Sequence, residues 1–409
     1  MVQSDYQSSP LPMKNMKILL RDFRSIIKQG QVVNFNIGTT AHGPGVAAML
    51  EKYLPECEIR VWASAPLSKP LELMMKRRFP NIHVVTGSLD GSSPAVDDAV
   101  RWCDLLLIGS GTRIAVPNDV KAFASICDKP YGAAGIGYER KDLEQMQQSA
   151  FMFFRDSIAL KQAQCDGLNV PIGFVPDGAF AFDAADDAGA KEFMERYDLE
   201  PGKFVCCLPR YRHTPIWEFI QRTPFPEERI AHNRQMLHQD MSPLVEAASR
   251  LVRQTHWKVL LSPETEPAIR LCQNELAPMF PGDVRPYIAV PETFWEADLA
   301  LGIYKQSNGL FGTEMHSQVM AIGNGIPAIV CRTAEFGSKS EMWNDLGLGE
   351  WLFDFDSSLD RQRFPDSVLK MATERERTER LVRNARAMIQ ERFIFFADIL
   401  KGFIPQEGR

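Results

Sequence analysis

The chain has 409 residues, 45% of them hydrophobic, and a formal net charge of −6. This length exceeds one ordinary domain and sets two as the expectation. The acidic balance and the lack of a basic stripe exclude nucleic-acid binding by bulk electrostatics, and no run approaches the ~20 apolar residues of a membrane span.

The first fifteen residues (MVQSDYQSSPLPMKN) lack the apolar core of a signal peptide. They read as a disordered lead-in to a cytoplasmic protein. Strands and helices then alternate. Met16–Leu20 and Val32–Ile37 read as strands and Gly45–Tyr53 as a helix. Glu58–Ala63, Ile82–Thr86 and Leu105–Ile108 are further β-type runs, separated by helical patterns at Leu71–Arg78 and Ala95–Trp102. Tyr131–Ile136 and Phe151–Phe154 continue the series. Such alternation predicts a largely parallel, doubly wound sheet over residues 16–185. The small, polar run from Asp183 to Gly189 marks a junction, with Ala188–Tyr197 as a bridging helix.

A second series over residues 200–372 starts with a strand at Phe204–Leu208, followed by a long helical pattern at Glu227–Gln254. A strand at Lys258–Leu261 and a helix near Pro267–Ala277 come next. From Asn308 to Lys339 the pattern is strand, turn, helix, turn, strand. In the tail, 373–400, Leu381, Ala385, Ile389 and Phe393 form an apolar stripe on a charged helix, which suits packing on the domains. The expected fold is α/β: two Rossmann-like parallel-sheet domains facing across a cleft, with a C-terminal helix. The eight cysteines show neither CxxC nor Cys/His metal spacing and read as buried reduced thiols, so no metal site and no cofactor is expected.

Candidate residues fall at strand ends facing the cleft, where open α/β sheets bind ligands. Asn36-Ile-Gly-Thr-Thr-Ala-His-Gly-Pro-Gly and Gly109-Ser110-Gly111-Thr112 offer backbone N–H groups to an anion, or are turns that pack helix on strand. Arg155-Asp156-Ser157 ends a strand, either toward a ligand or as the cap of the next helix. Arg210 and Arg212 lie two apart, so on extended backbone they project to one side, as suits bidentate anion binding. His213 reads as structural. Arg332 and Lys339 close the Asn308–Lys339 unit as two further cations. His316, in the first turn of a helix two residues after Glu314, is the proton-carrier candidate.

These motifs in this order resemble the polysaccharide pyruvyl transferase family from about Met16 to Phe355: Asn-x-Gly, the Gly/Ser loop, Arg-Asp-Ser, Pro-Asp-Gly-Ala-Phe, and His316 followed by Gly-Ile-Pro and Lys339. The resemblance implies a GT-B-like fold and transfer of the enolpyruvyl portion of phosphoenolpyruvate onto two sugar hydroxyls as a ketal. It makes His316 the acid/base residue, with Arg210 and Lys339 among the anion-binding groups. The chain departs from the family at Glu314, where Arg is usual in R-x-H, and at Thr39, where Asp is usual. Two alternatives stand beside pyruvyl transfer. One is glycosyl transfer from a nucleotide-sugar, with Glu314 holding a ribose hydroxyl pair. The other is a non-catalytic sugar-binding descendant.

Overall fold

A computed structural model describes residues 15–23, 26–28, 31–114, 116–218 and 226–403. The expected lead-in, residues 1–15, therefore lies almost wholly outside the described residues. In chain order the strands are β1 (Lys17–Arg21), β2 (Ile26–Lys28), β3 (Gln31–Val33), β4 (Glu58–Ala63), β5 (His83–Thr86), β6 (Leu105–Ile108), β7 (Tyr131–Ile136), β8 (Phe151–Phe154) and β9 (Ile172–Phe174). The second half adds β10 (Phe204–Leu208), β11 (Lys258–Leu261), β12 (Ile288–Ala289), β13 (Leu310–Gly312), β14 (Ala328–Arg332) and β15 (Leu352–Asp354).

Among the described residues, the first sheet has the order β5-β4-β1-β6-β7-β8-β9 and the second β12-β11-β10-β13-β14-β15. Every pairing in both sheets is parallel. The fold is thus two parallel-sheet α/β domains, each with its strand order reversing once. Those reversals open crevices at the carboxyl ends of β1 and β6 and of β10 and β13. Leu105–Ile108 and Phe204–Leu208 are buried along their whole length, as strands covered on both faces by helices must be.

One expected strand is corrected. Val32–Ile37 divides into β3, which pairs antiparallel with β2, and the start of a helix that runs Ile37–Tyr53, eight residues earlier than read from the sequence. Asn36 is extended and its side-chain oxygen accepts from the Gly38 N–H at 2.7 Å, so it ends the strand-like path and caps the helix. The Pro267–Ala277 helix is also irregular: one α-turn (Glu266–Arg270), a π-turn (Leu271–Leu276) and a 3₁₀ turn.

The C-terminal helix, Arg375–Lys401, touches both domains. Its buried face runs through Val382, Ala385, Ile389, Phe393 and Phe396. Phe393 meets Tyr53 at 6.5 Å between ring centroids, and Phe396 meets Phe151 at 5.9 Å, both in the first domain. Arg386 donates to the Gly323 carbonyl of the second. A second tie forms directly between the domains: Asn36 and Thr265 make an antiparallel bridge, with Ile37 N–H on the Glu264 carbonyl and Glu266 N–H on that of Phe35.

Candidate functional site

That bridge brings the first domain's leading helix against the end of β11 and the helix His316–Gly323. Glu264, fully buried at the β11 end, holds this second helix by its amino end. Its Oε1 accepts from the His316 N–H at 3.2 Å and lies 3.0 Å from His316 Nδ1, while Oε2 accepts from the Ser317 N–H at 2.7 Å. A carboxylate on the first N–H groups of a helix satisfies donors that have no intrahelical partner and meets the positive dipole end. The same carboxylate fixes the imidazole tautomer: Nδ1–H donates to Glu264, which leaves Nε2 as the basic nitrogen. Burial pulls the His316 pKa below its ordinary value, against the raising effect of Glu264. Burial alone would raise Glu264, but His316, the Ser317 N–H and Lys339 together bring it down to about 2.

On the opposite wall, Gly38 faces the His316 ring, and His42 meets it edge-on with ring centroids 5.0 Å apart. His42 Nε2 lies 3.4 Å from Oδ1 of fully buried Asp177, whose Oδ2 takes Arg155 Nη1 at 3.2 Å. Burial disfavours the Asp177 charge, yet His42, Arg155 and His316 hold its pKa well below the carboxylate range. Asp177 also closes its own turn, accepting from the Ala179 N–H.

Glu314 lies beside this pair, 2% exposed, with Oε2 3.8 Å from Arg210 Nε and with Oε1 unpartnered among the described residues. Burial and the Glu264 charge push its pKa up, so it carries a proton where ordinary carboxylates do not. Lys339 Nζ and the Arg210 guanidinium lie over the Phe336 ring, 4.4 and 5.1 Å from its centroid. Burial first, then Arg210 and Arg155, pull the Lys339 pKa down. Two guanidinium groups that discourage the charge of Lys339, beside a proton-bearing carboxyl, form a surface that an anion would stabilise.

The structure thus brings together His316, Glu314, Arg210, Lys339 and Arg155, while the Asn36 side chain caps the Ile37–Tyr53 helix. It turns Arg212 elsewhere: its guanidinium takes Asp240 through two 2.8 Å hydrogen bonds, with Glu335 and Asp356 behind. Arg210 and Arg212 still border one small cavity with Thr313 and Phe336, but the carboxylates around Arg212 take up its guanidinium, so it is not free for an anion. Arg332 pairs with Asp354 at the sheet edge. The Gly109–Gly111 loop is engaged in packing. Ser110 Oγ accepts from the Gly178 N–H at 2.7 Å, Gly111 N–H donates to the Gly135 carbonyl, and a Cβ at Gly109 would strike Asp22. Asp156 caps the Ser157–Cys165 helix and also takes the Ser338 hydroxyl of the other domain.

Glu264, His42 and Asp177 were not singled out from the sequence. His42 and Asp177 stand inside quoted motifs, and the Ser262-Pro-Glu-Thr-Glu266 run after β11 was the available signal for Glu264. Among the described residues two groups could hold a metal ion, each with donor atoms within 4.8 Å: His42, Asp177 and His316, and His213, His232 and Glu335. In the first, the Arg155 guanidinium already shares Asp177.

No protein-family model and no curated protein sequence matches the chain. Solved structures do. The chain is similar to Staphylococcus aureus MnaA in complex with UDP (TM-score 0.58, 12% identity, 96% of this chain on 99% of that one). It is similar to the Neisseria meningitidis UDP-GlcNAc 2-epimerase bound to UDP-GlcNAc (0.56, 12%, 94% on 100%). It is also similar to the Burkholderia multivorans trehalose 6-phosphate synthase (0.51, 13%, 96% on 98%). At such identities the likeness establishes the fold, a GT-B-like pair of domains over nearly the whole chain.

Proposed function

We propose that this chain is a sugar-directed transferase that takes an anionic, phosphorylated donor in the interdomain cleft and joins the transferred group to a sugar hydroxyl. The observation that carries this reading is the His316–Glu264 pair lying beside Arg210, Lys339 and Arg155, with contributions from both domains. His316 Nε2 takes the proton of the attacking hydroxyl, and Glu264 stabilises the imidazolium that results. As the new C–O bond forms, the donor's bond to its phosphate-bearing oxygen breaks, and Arg210 and Lys339 receive the charge on that leaving group.

Among donors, the fold neighbours favour a nucleotide-sugar, since enzymes of this architecture are solved with UDP and UDP-GlcNAc. The unpartnered Oε1 of buried Glu314 suits a ligand hydroxyl pair. Phosphoenolpyruvate is the second reading, and one observation favours it. The amino end of the His316–Gly323 helix, a natural seat for a diphosphate, already holds the Glu264 carboxylate. That leaves the cation cluster, suited to a smaller anion. Calorimetric titration of the purified chain with UDP, a UDP-sugar panel and phosphoenolpyruvate tests both. Binding of a UDP-sugar that Arg210→Ala weakens supports the first reading, and binding of phosphoenolpyruvate alone supports the second. Binding of neither, with intact fold, sinks the transferase proposal.

A further inference from the structure

We propose a second site, a divalent transition-metal site of the zinc class, built from His213, His232 and Glu335 in the second domain and distinct from the His316 cluster. The three come from three separate segments: the loop after β10, the helix Glu227–Thr255, and the turn after β14. One ring nitrogen from each histidine and a carboxylate oxygen lie within 4.8 Å of one another. His232 Nε2 is 2.8 Å from Glu335 Oε1, and the two imidazole rings are 5.4 Å apart at their centroids. Two imidazoles and one carboxylate with an open fourth position are a donor set that zinc accepts at about 2.0–2.2 Å, after small side-chain shifts that open the 2.8 Å His232–Glu335 pair and draw the three donors to a common centre.

The surroundings hold the ligands in place. Asn233, next to His232, clamps the His213 backbone twice: its Oδ1 accepts from the His213 N–H at 2.9 Å and its Nδ2 donates to the carbonyl at 2.8 Å. The other oxygen of Glu335 is 3.5 Å from Arg212 Nη1. Outer partners that orient ligating groups in this way are the usual companions of metal sites. Asp240, Glu335 and Asp356 surround the Arg212 guanidinium, which offsets that cation locally, while Arg229 and Arg210 also act on His213. All three ligands are partly exposed, which gives an ion a way in.

Such an ion would staple the loop that carries Arg210 to the turn that precedes Lys339. Zinc alone is the probe. Purified full-length chain without a histidine tag is titrated with zinc by calorimetry and, with cobalt, by visible absorption. The expected result is one zinc per chain, an absorption spectrum of tetrahedral cobalt, and a raised melting temperature. His232→Ala and Glu335→Gln should weaken binding roughly 100-fold or more, beyond the 10–100-fold that outer partners contribute. Both residues are partly exposed, so these variants should fold, and circular dichroism checks that. His316→Ala should bind zinc as wild type does. No stoichiometric zinc binding overturns the proposal. So does binding that survives His232→Ala, or that His316→Ala abolishes, since the ion would then sit in the interdomain cluster.

Discussion

Gly38 has no room for a side chain because His316 occupies that space: a Cβ there would lie 2.5 Å from both Cγ and Nδ1 of the imidazole. The two residues belong to different domains, so the absence of one side chain sets where the proposed catalytic ring can sit. Gly38→Ala should therefore displace His316 and break its 3.0 Å contact to Glu264. A misplacement of this size lowers turnover by roughly 10²-fold. Steady-state kinetics on the identified donor checks this, alongside a thermal melt. Unchanged turnover would show that the ring position does not matter.

Removing the imidazole is the more direct test. His316→Ala leaves Glu264 still bound to the His316 and Ser317 backbone N–H groups, so the helix keeps its cap and the fold should survive. Turnover should fall by roughly 10²–10⁴, the worth of a positioned acid/base. Full activity in this variant would remove His316 from the chemistry.

Much of the fold was legible because parallel strands covered on both faces read as continuous apolar runs. Leu105–Ile108 and Phe204–Leu208 are such runs. β12 and β15, two and three residues long, carry too little pattern to read. The Ile37–Tyr53 helix was read late because its first turns hold Gly38, Gly43, Pro44 and Gly45, all poor helix formers. Tertiary contacts select three of them: Gly38 against His316, Gly43 against the Phe23 ring, and Gly45 against the Gly178 carbonyl, 2.2 Å from where its Cβ would be. His316, Arg210 and Lys339 stand in segments whose motifs point to chemistry. Glu264 does not, since it meets His316, 52 positions further on, only after the chain folds back through β12, the helix Ala297–Tyr304 and β13. Arg212 looks equivalent to Arg210 by spacing, but spacing does not say that Asp240 and Asp356 take up its guanidinium.

Arg210 and Arg212 should therefore separate in experiment. Arg210→Ala removes a charge-assisted contact to a bound anion, about 1.5–3 kcal/mol or at least tenfold in affinity, with little change in melting temperature. Arg212→Ala leaves Asp240 buried without its partner, a loss of about 3–5 kcal/mol in stability. Donor calorimetry and urea unfolding on both variants check the contrast. Equal effects of the two on both measurements would contradict it.

Glu264 predicts an acid limb in stability. Its folded pKa of about 2 lies below its ordinary 4.5. Its contribution is therefore fully present above about pH 4.5 and is lost as pH falls toward 2. Glu264→Gln should lose that limb. Its NH₂ would face the His316 N–H in place of an acceptor, so the variant should also be less stable at neutral pH. Unfolding free energies of both proteins between pH 3 and 7 decide the matter.

Lys339 and Glu314 set the final prediction, which concerns ligand binding. Burial, Arg210 and Arg155 hold the Lys339 pKa below its ordinary 10.5, so without a ligand the folded state disfavours its charge. Burial and Glu264 hold Glu314 above its ordinary 4.5, so it resists losing its proton. Taken alone, the first shift gives stability present at high pH and lost as pH falls through the lowered value. The second gives stability present below about pH 4.5 and lost as pH rises through the raised value. A phosphorylated donor reverses the balance for Lys339, because its negative charge favours the ammonium. Donor affinity should then be greatest with Lys339 protonated and should weaken as pH rises through the lysine's lowered value, well short of 10.5. Ionisation of Glu314 adds a negative charge over the same rise and weakens binding further. Lys339→Arg keeps its charge throughout and should flatten most of this dependence, Glu314→Gln should flatten the rest, and Lys339→Met should bind weakly at every pH. Dissociation constants for the identified donor from pH 6 to 9 test all four proteins, and a wild-type affinity that does not change across this range would remove Lys339 from the anion site.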